Sequence, residues 1–273
     1  MDTLIKPKTT ANDLNAIIKE HLEDLAKATD KARVSDEMVR YLEFCAKFHQ
    51  YSPSNIWLIM MSRPDATHVA GYNAWKKMGR YVKRGEKGIP ILAPMIYRED
   101  PDDEDAPKVL RGFRVVHVFD VSQTDGQPLP EQPNWKSPEK NLELQKKLMD
   151  FAEQNGIKVT IKELEGETQG ISTGGRIVLS PDAGTKTLIH ELAHELLHQI
   201  ENTQLSRAEK EMEAESVAFV VCKYLGFLDL NSPNYLALYG LGSDNLMACF
   251  QRIGDMAKKL ILVLEERKEQ VQG

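Results

Sequence analysis

The chain has 273 residues, 41% hydrophobic and 28% charged, with 35 Lys and Arg against 41 Asp and Glu for a formal net charge of −6. This balance excludes a low-complexity or disordered acidic chain and a protein that coats nucleic acid over its whole surface; any nucleic-acid contact must come from a local patch. Its three cysteines, Cys45, Cys222 and Cys249, are far apart and show no CxxC spacing, which argues against a disulfide framework or a thiolate zinc site and fits a reducing cytosol. No run approaches 18 apolar residues and the N-terminus lacks the apolar core of a signal peptide, so the expectation is a cytoplasmic protein with no membrane partner.

The length allows two ordinary domains. Leu14, Ile17, Ile18, Leu22 and Leu25 form a helical stripe over Ala11 to Thr29, and Met38, Leu42, Cys45 and Phe48 form a second, with Ser35 as its expected N-cap. A third apolar stretch, Ile56 to Met61, follows a break at Pro53. Beyond Pro64 the pattern becomes strand-like around Val82, over 89–92 and over 113–119. Between the last two lies EDPDDEDAP, residues 99–107, which reads as a solvated hairpin tip. Residues 123–138 hold four prolines and no apolar period; they read as a linker, giving domains of 1–130 and 131–273. The second half begins with a helix from about Ser137 to Gln154, ended by Asn155-Gly156. Strands over 157–161 and 176–180 and helices over about 184–201, 207–225 and from Ser243 onward complete it. No internal repeat is visible.

The sharpest chemical signal is His190-Glu191-Leu192-Ala193-His194. Residues four apart on a helix share a face, so two imidazoles can hold one cation, and the glutamate after the first His can take a proton from water at that cation. The alternative, two surface histidines on an ordinary helix, has the strand before the motif and the apolar side Leu188, Ile189, Leu192, Leu196 and Leu197 against it. His198 extends the motif to HExxHxxxH, but eight residues at 1.5 Å put it about 12 Å along the axis from His190, and no glycine breaks the helix between. It therefore stands behind the ligands or faces solvent. A third ligand is sought among Glu209, Glu211, Glu213 and Glu215 of the next helix. Acidic residues near a helix start have an ordinary explanation in the helix dipole. Glu215 stands where the apolar run begins, and a carboxylate entering a buried face should be paired or coordinated. Glu215 is the expected third ligand, with Glu211, one turn earlier on the same face, in reserve. Two imidazoles and one carboxylate leave a position for water on Zn2+, the set of hydrolytic zinc enzymes, with Glu191 as the catalytic base. Tyr235 and Tyr239 could donate to an oxyanion, but tyrosines in such stretches more often pack.

The segment 71–88, GYNAWKKMGRYVKRGEKG, sets six cations against one anion inside an acidic protein. Lys76, Lys77, Arg80, Lys83, Arg84 and Lys87 are interleaved with Tyr72, Trp75 and Tyr81. Cations track phosphates and aromatic faces stack on unpaired bases, a recipe for single-stranded DNA; the competing reading is core aromatics beneath a solvated face.

Both halves carry a family resemblance. The stretch YSPSNIWLIMMSRPDATHVAGYNAWKKMGRYVKRGEKGIPILAP with VFDVSQTDGQPLP resembles the N-terminal domain of the ArdC antirestriction family. HELAHELLH with EMEAESVAFVVCKYLG looks like that family's zinc-peptidase domain, akin to the ImmA/IrrE metallopeptidases. Together they span most of residues 40–226. The resemblance implies an α+β chain: a helical and small-sheet domain binding single-stranded DNA, then a zincin-like metallopeptidase domain, carried on mobile elements. By that resemblance His190 and His194 are ligands, Glu191 is catalytic, and Glu215 is the ligand of the AES motif. The implied partners are single-stranded DNA and a protein or peptide substrate. Two rivals are a non-enzymatic DNA-protecting protein with a structural metal and a repressor-cleaving peptidase with no DNA role.

Overall fold

The computed structural model describes residues 9–28, 31–100, 103, 105–129, 138–199, 205–228, 230–231, 233, 235–238 and 241–265. The architecture is mixed α+β, and the chain divides into two compact units: Met1–Leu25 with Tyr51–Glu131, and Ala26–Gln50 with Gln132–Gly273. Among the described residues no helix is long and apolar enough to cross a membrane.

In the first unit, α1 (Ala11–Lys27) buries Leu14, Ile18, Leu22 and Leu25, the stripe expected of it. α3 (Pro53–Ser62) starts on Ser52, whose hydroxyl accepts from the Asn55 amide. Pro53 opens this helix rather than breaking one, because its missing N–H falls where no helical partner exists. The unit's main sheet is antiparallel in the order β1-β4-β3, with β1 (Val69–Gly71), β3 (Ile89–Arg98) and β4 (Lys108–Asp120). β3 and β4 form a long hairpin around the acidic segment, with a register shift between Met95 and Ile96. The buried Asn55 side chain bonds both backbone groups of Leu92, at 2.9 and 2.8 Å, and fastens α3 to the sheet. At the other end Asp120 accepts from the amides of Thr67 at 2.8 Å, His68 at 3.1 Å and Ser122 at 2.9 Å. A two-stranded sheet joins β2 (Arg80–Val82) to β5 (Thr124–Gly126). Gly126 has φ +134°, and a Cβ there would lie 2.3 Å from the Gly79 carbonyl, so only glycine fits.

In the second unit, α2 (Lys31–Lys47) begins a turn before Ser35, which lies inside the helix instead of capping it. Val34, 4% exposed, extends the buried stripe N-terminally and carries the helix past the expected start. Asn141 caps α5 (Leu142–Gln154), a few residues later than expected; Ser137 lies outside the described residues. The sheet order is β6-β8-β7, with β6 (Lys158–Ile161) parallel and β7 (Gly170–Ser172) antiparallel to β8 (Arg176–Leu179). α6 (Thr185–His194) passes into one π-helical turn over Glu195–Gln199. α7 (Arg207–Tyr224) packs on α6 and on α8 (Ser243–Glu265). Ser206 and Glu209 close a capping box at its start. From Met212 to Cys222 every residue of α7 but Glu215 is buried, so it is the unit's central helix.

Candidate functional site

α6 is held by its apolar side: Leu188, Ile189, Leu192 and Ala193 are fully buried. The opposite side presents His190 and His194, whose Nε2 atoms lie 3.1 Å apart. Glu211 of α7 completes a triangle. Its Oε2 is 3.3 Å from His194 Nε2 and 3.6 Å from His190 Nε2. A tetrahedral ion with bonds of about 2.0–2.1 Å separates its ligand atoms by about 3.3–3.4 Å. Those three atoms therefore stand at the spacing one divalent ion demands. Burial first, then the neighbouring His194, pushes the His190 pKa down to about 4. Burial likewise lowers His194. Both rings are thus neutral at physiological pH with a lone pair to give, and Glu211 brings the negative charge. Its side chain keeps 47% of its surface exposed, so the group opens to solvent on the carboxylate side.

Glu215 does not join this group. It is exposed one turn further along α7, and the reserve candidate Glu211 occupies the place expected for it. The start of the apolar run does not mark a ligand here. In the fold Glu215 is instead the one exposed position in the buried stretch Met212–Cys222.

Glu191 lies on the buried side of the group, 7% exposed. Burial, then the nearby Glu211 and Glu195 carboxylates, pushes its pKa up to about 7, although an amide bond from Ser172 opposes them. Strand β7 runs directly over it: a Cβ on Gly170 would lie 2.8 Å from both Glu191 Cγ and Oε1. Glycine lets the strand approach that closely. Glu195, 1% exposed, accepts from the amides of Gly174 at 2.9 Å and Gly175 at 2.6 Å, and so ties the β7–β8 turn to the same helix. His198 is buried between His194, at 3.3 Å from Nδ1 to Nδ1, and Glu213, at 3.1 Å from its Nε2. Tyr235 packs at 3% exposure, and Tyr239 lies outside the described residues.

The eight candidate DNA-binding residues separate into two sets. Trp75 is core: it is 1% exposed and its Nε1 donates to the Phe119 carbonyl at 2.8 Å, so it has no face for a base. Arg80 is structural as well, its Nε donating to Thr124 Oγ1 at 2.8 Å and its Nη1 to the Gln127 carbonyl. Lys83 is exposed, with its amine 3.1 Å from the Ser122 carbonyl. Tyr72 and Tyr81 remain 55% and 57% exposed, and Lys76, Lys77, Arg84 and Lys87 are exposed around them. α4 (Tyr72–Lys77) and β2 carry this surface, with the glycine turn at Gly79 between them.

Fold and site define an α+β protein with a two-histidine, one-glutamate donor set on adjacent helices. Residues 9–121 match the family described as the N-terminal domain of anti-restriction factor ArdC. Over that stretch, about two fifths of its length, the chain is similar to the ArdC N-terminal domain. It is 28% identical over 99% of its length to an uncharacterized protein of Bacillus anthracis, of which it covers 55%, about half the relative's length. The metal-free crystal structure of the antirestriction protein ArdC from plasmid R388 superposes at a TM-score of 0.51 with 20% identity, covering 79% of this chain and 83% of that one. The Mn(II)-bound crystal structure of the same protein gives a TM-score of 0.49 at 19% identity, over 85% of this chain and 99% of that one.

Proposed function

We propose that this chain is a zinc-dependent peptidase of the antirestriction type that also binds single-stranded DNA. The observation that carries the enzymatic part is the His190, His194 and Glu211 triangle at tetrahedral ligand spacing, with a buried glutamate beside it. A divalent ion held there supplies a Lewis acid, and zinc suits two imidazoles and a carboxylate with room for substrate. His190 and His194 bind through Nε2 and Glu211 offsets charge. Glu191, placed under β7, takes a proton from the attacking water and returns it to the leaving amine. The second unit in this reading is a zincin-like domain.

DNA binding is assigned to the first unit's exposed set: Tyr72 and Tyr81 for stacking, Lys76, Lys77, Arg84 and Lys87 for phosphates. Four such cations give a slope of about −3 in log affinity against log salt for a single strand. The test joins both parts. Zinc-loaded wild type and Glu191→Gln are incubated with a fluorescently labelled unfolded protein, with and without a single-stranded oligonucleotide. Hydrolysis should vanish in the variant while zinc content and the salt-dependent DNA affinity stay unchanged. Equal hydrolysis in the two proteins would remove Glu191 from the chemistry. If neither cleaves while both protect DNA, the protein is a non-enzymatic DNA binder. Cleavage with salt-insensitive, weak DNA binding would favour a repressor-type substrate.

A further inference from the structure

Behind the metal triangle lies a polar chain that the proposed reaction does not use. His194 turns Nε2 toward His190 and Glu211, and its other nitrogen, Nδ1, lies 3.3 Å from Nδ1 of His198. His198 is 2% exposed by side chain, and its Nε2 is 3.1 Å from Oε2 of the fully buried Glu213. Arg252 of α8 closes the chain. Its Nε donates to both Glu213 oxygens, at 3.0 and 3.2 Å, and its Nη2 donates to Oε1. A buried carboxylate with three aligned donors is an ionised, fixed group.

Proton placement follows from this connectivity. A neutral imidazole that binds a cation through Nε2 carries its hydrogen on Nδ1. His194 Nδ1–H then donates to His198 Nδ1, which must accept. With Nδ1 accepting, the His198 ring carries a hydrogen on Nε2 and donates it to Glu213. Each atom in the chain has one role, and every role is filled. The π-helical turn over Glu195–Gln199 carries His198. Such a turn widens the helix locally and sets a side chain off the α-helical ridge, and π-turns are frequent at functional sites.

Resting on the reading of His190, His194 and Glu211 as metal ligands, we infer that His198, Glu213 and Arg252 form a relay that positions His194, fixing its tautomer and ring orientation and strengthening it as a ligand. None of the three touches the reacting atoms; they act through His194. Partners that orient a ligating histidine in this way typically change metal affinity 10–100-fold when removed.

The full-length chain tests this as wild type, His198→Phe, Glu213→Gln and the double variant. His198→Phe keeps a planar ring but no ring nitrogens, and Arg252 still pairs Glu213. Glu213→Gln is isosteric and guards against a fold lost at His198. Zinc affinity is measured by competition with a chromophoric chelator, and the cobalt(II)-loaded proteins by visible absorption. Expected are a 10–100-fold loss of zinc affinity in His198→Phe, about 10-fold in Glu213→Gln, and shifted cobalt bands in both. The double variant should be no weaker than His198→Phe alone, since the residues act in series. Variants that bind zinc as tightly as wild type with an unchanged cobalt spectrum, and differ only in a lower melting temperature without metal, would make the chain mere packing and overturn the inference. In that case wild type still binds one zinc, and the metal reading stands. Should wild type bind none, both fall together.

Discussion

The sharpest test of the metal assignment is a pair of isosteric changes one helical turn apart, Glu211→Gln and Glu215→Gln. The Glu211 carboxylate oxygen is 3.3 and 3.6 Å from the two imidazole nitrogens. Glu215, one turn on, is exposed and its carboxylate is not among the donor atoms that cluster with the two imidazoles. Complete zinc sites yield about 10–16 kcal/mol from four ligands, so one ligand is worth about 3 kcal/mol. Losing the charged ligand should therefore loosen zinc about 100-fold, and losing the exposed neighbour less than about 3-fold. Chelator competition at fixed pH reads both, with zinc content of dialysed samples as a check. Neither change should lower thermal stability much without metal, because both side chains are substantially exposed. Were Glu215→Gln the variant that loosens zinc, with Glu211→Gln near wild type, the triangle would be the wrong donor set.

Two further outcomes concern the first unit. Trp75→Ala should lower stability by about 3–5 kcal/mol in urea unfolding, whereas Tyr81→Ala should change stability by no more than about 0.5 kcal/mol yet weaken single-stranded DNA binding by about 1–3 kcal/mol; a stable Trp75→Ala that loses DNA binding would return that indole to the interface. Burial raises the pKa of Asp120, but its bonds from Ser122, Thr67 and His68 prevail and hold it below the ordinary 3.8. Its folded pKa is depressed, so its contribution is complete above about pH 4 and lost as pH falls through the folded value. Asp120→Asn should cost about 1–3 kcal/mol at pH 7 and progressively less in acid; an equal deficit at pH 7 and pH 2.5 would show that its charge plays no part.

Much of the helical framework was legible because its signal is local. The buried residues of α1 are four of the five that periodicity picked out. The short strands were not legible. β1, β5 and β7 have three residues each and exist because of partners far along the chain, as Val69 pairs with Asp120. A three-residue run holds no period to read. The same limit governs the aromatics. Trp75 and Tyr81 sit in one basic segment and look alike in sequence. One meets a carbonyl of β4 and is buried, and the other meets solvent. The pair His190 and His194 was legible because one helix places both, whereas the third donor comes from another helix and depends on how the two pack.

The four glutamates of α7 make that dependence concrete. They recur every second residue, so the helix turns about 200° from one to the next. Glu209 and Glu213 fall on one side, Glu211 and Glu215 on the other. Their sequence surroundings hardly distinguish them, yet the fold gives each a different neighbourhood. Glu209 closes the capping box, with its Oε2 2.8 Å from the Ser206 amide. Glu211 faces the two imidazoles, and Glu213 is buried between His198 and Arg252. Glu215 is exposed. The motif HExxH therefore defines half a site. What completes it is the registry of α7 against α6, set by apolar residues between and just after the glutamates, Met212, Ala214, Val217 and Ala218, all buried. A slide of one turn would present Glu215 to His190 and His194. It would also move Glu213 away from His198 and Arg252 and strand a buried charge, a penalty of several kcal/mol that selects one registry over the other.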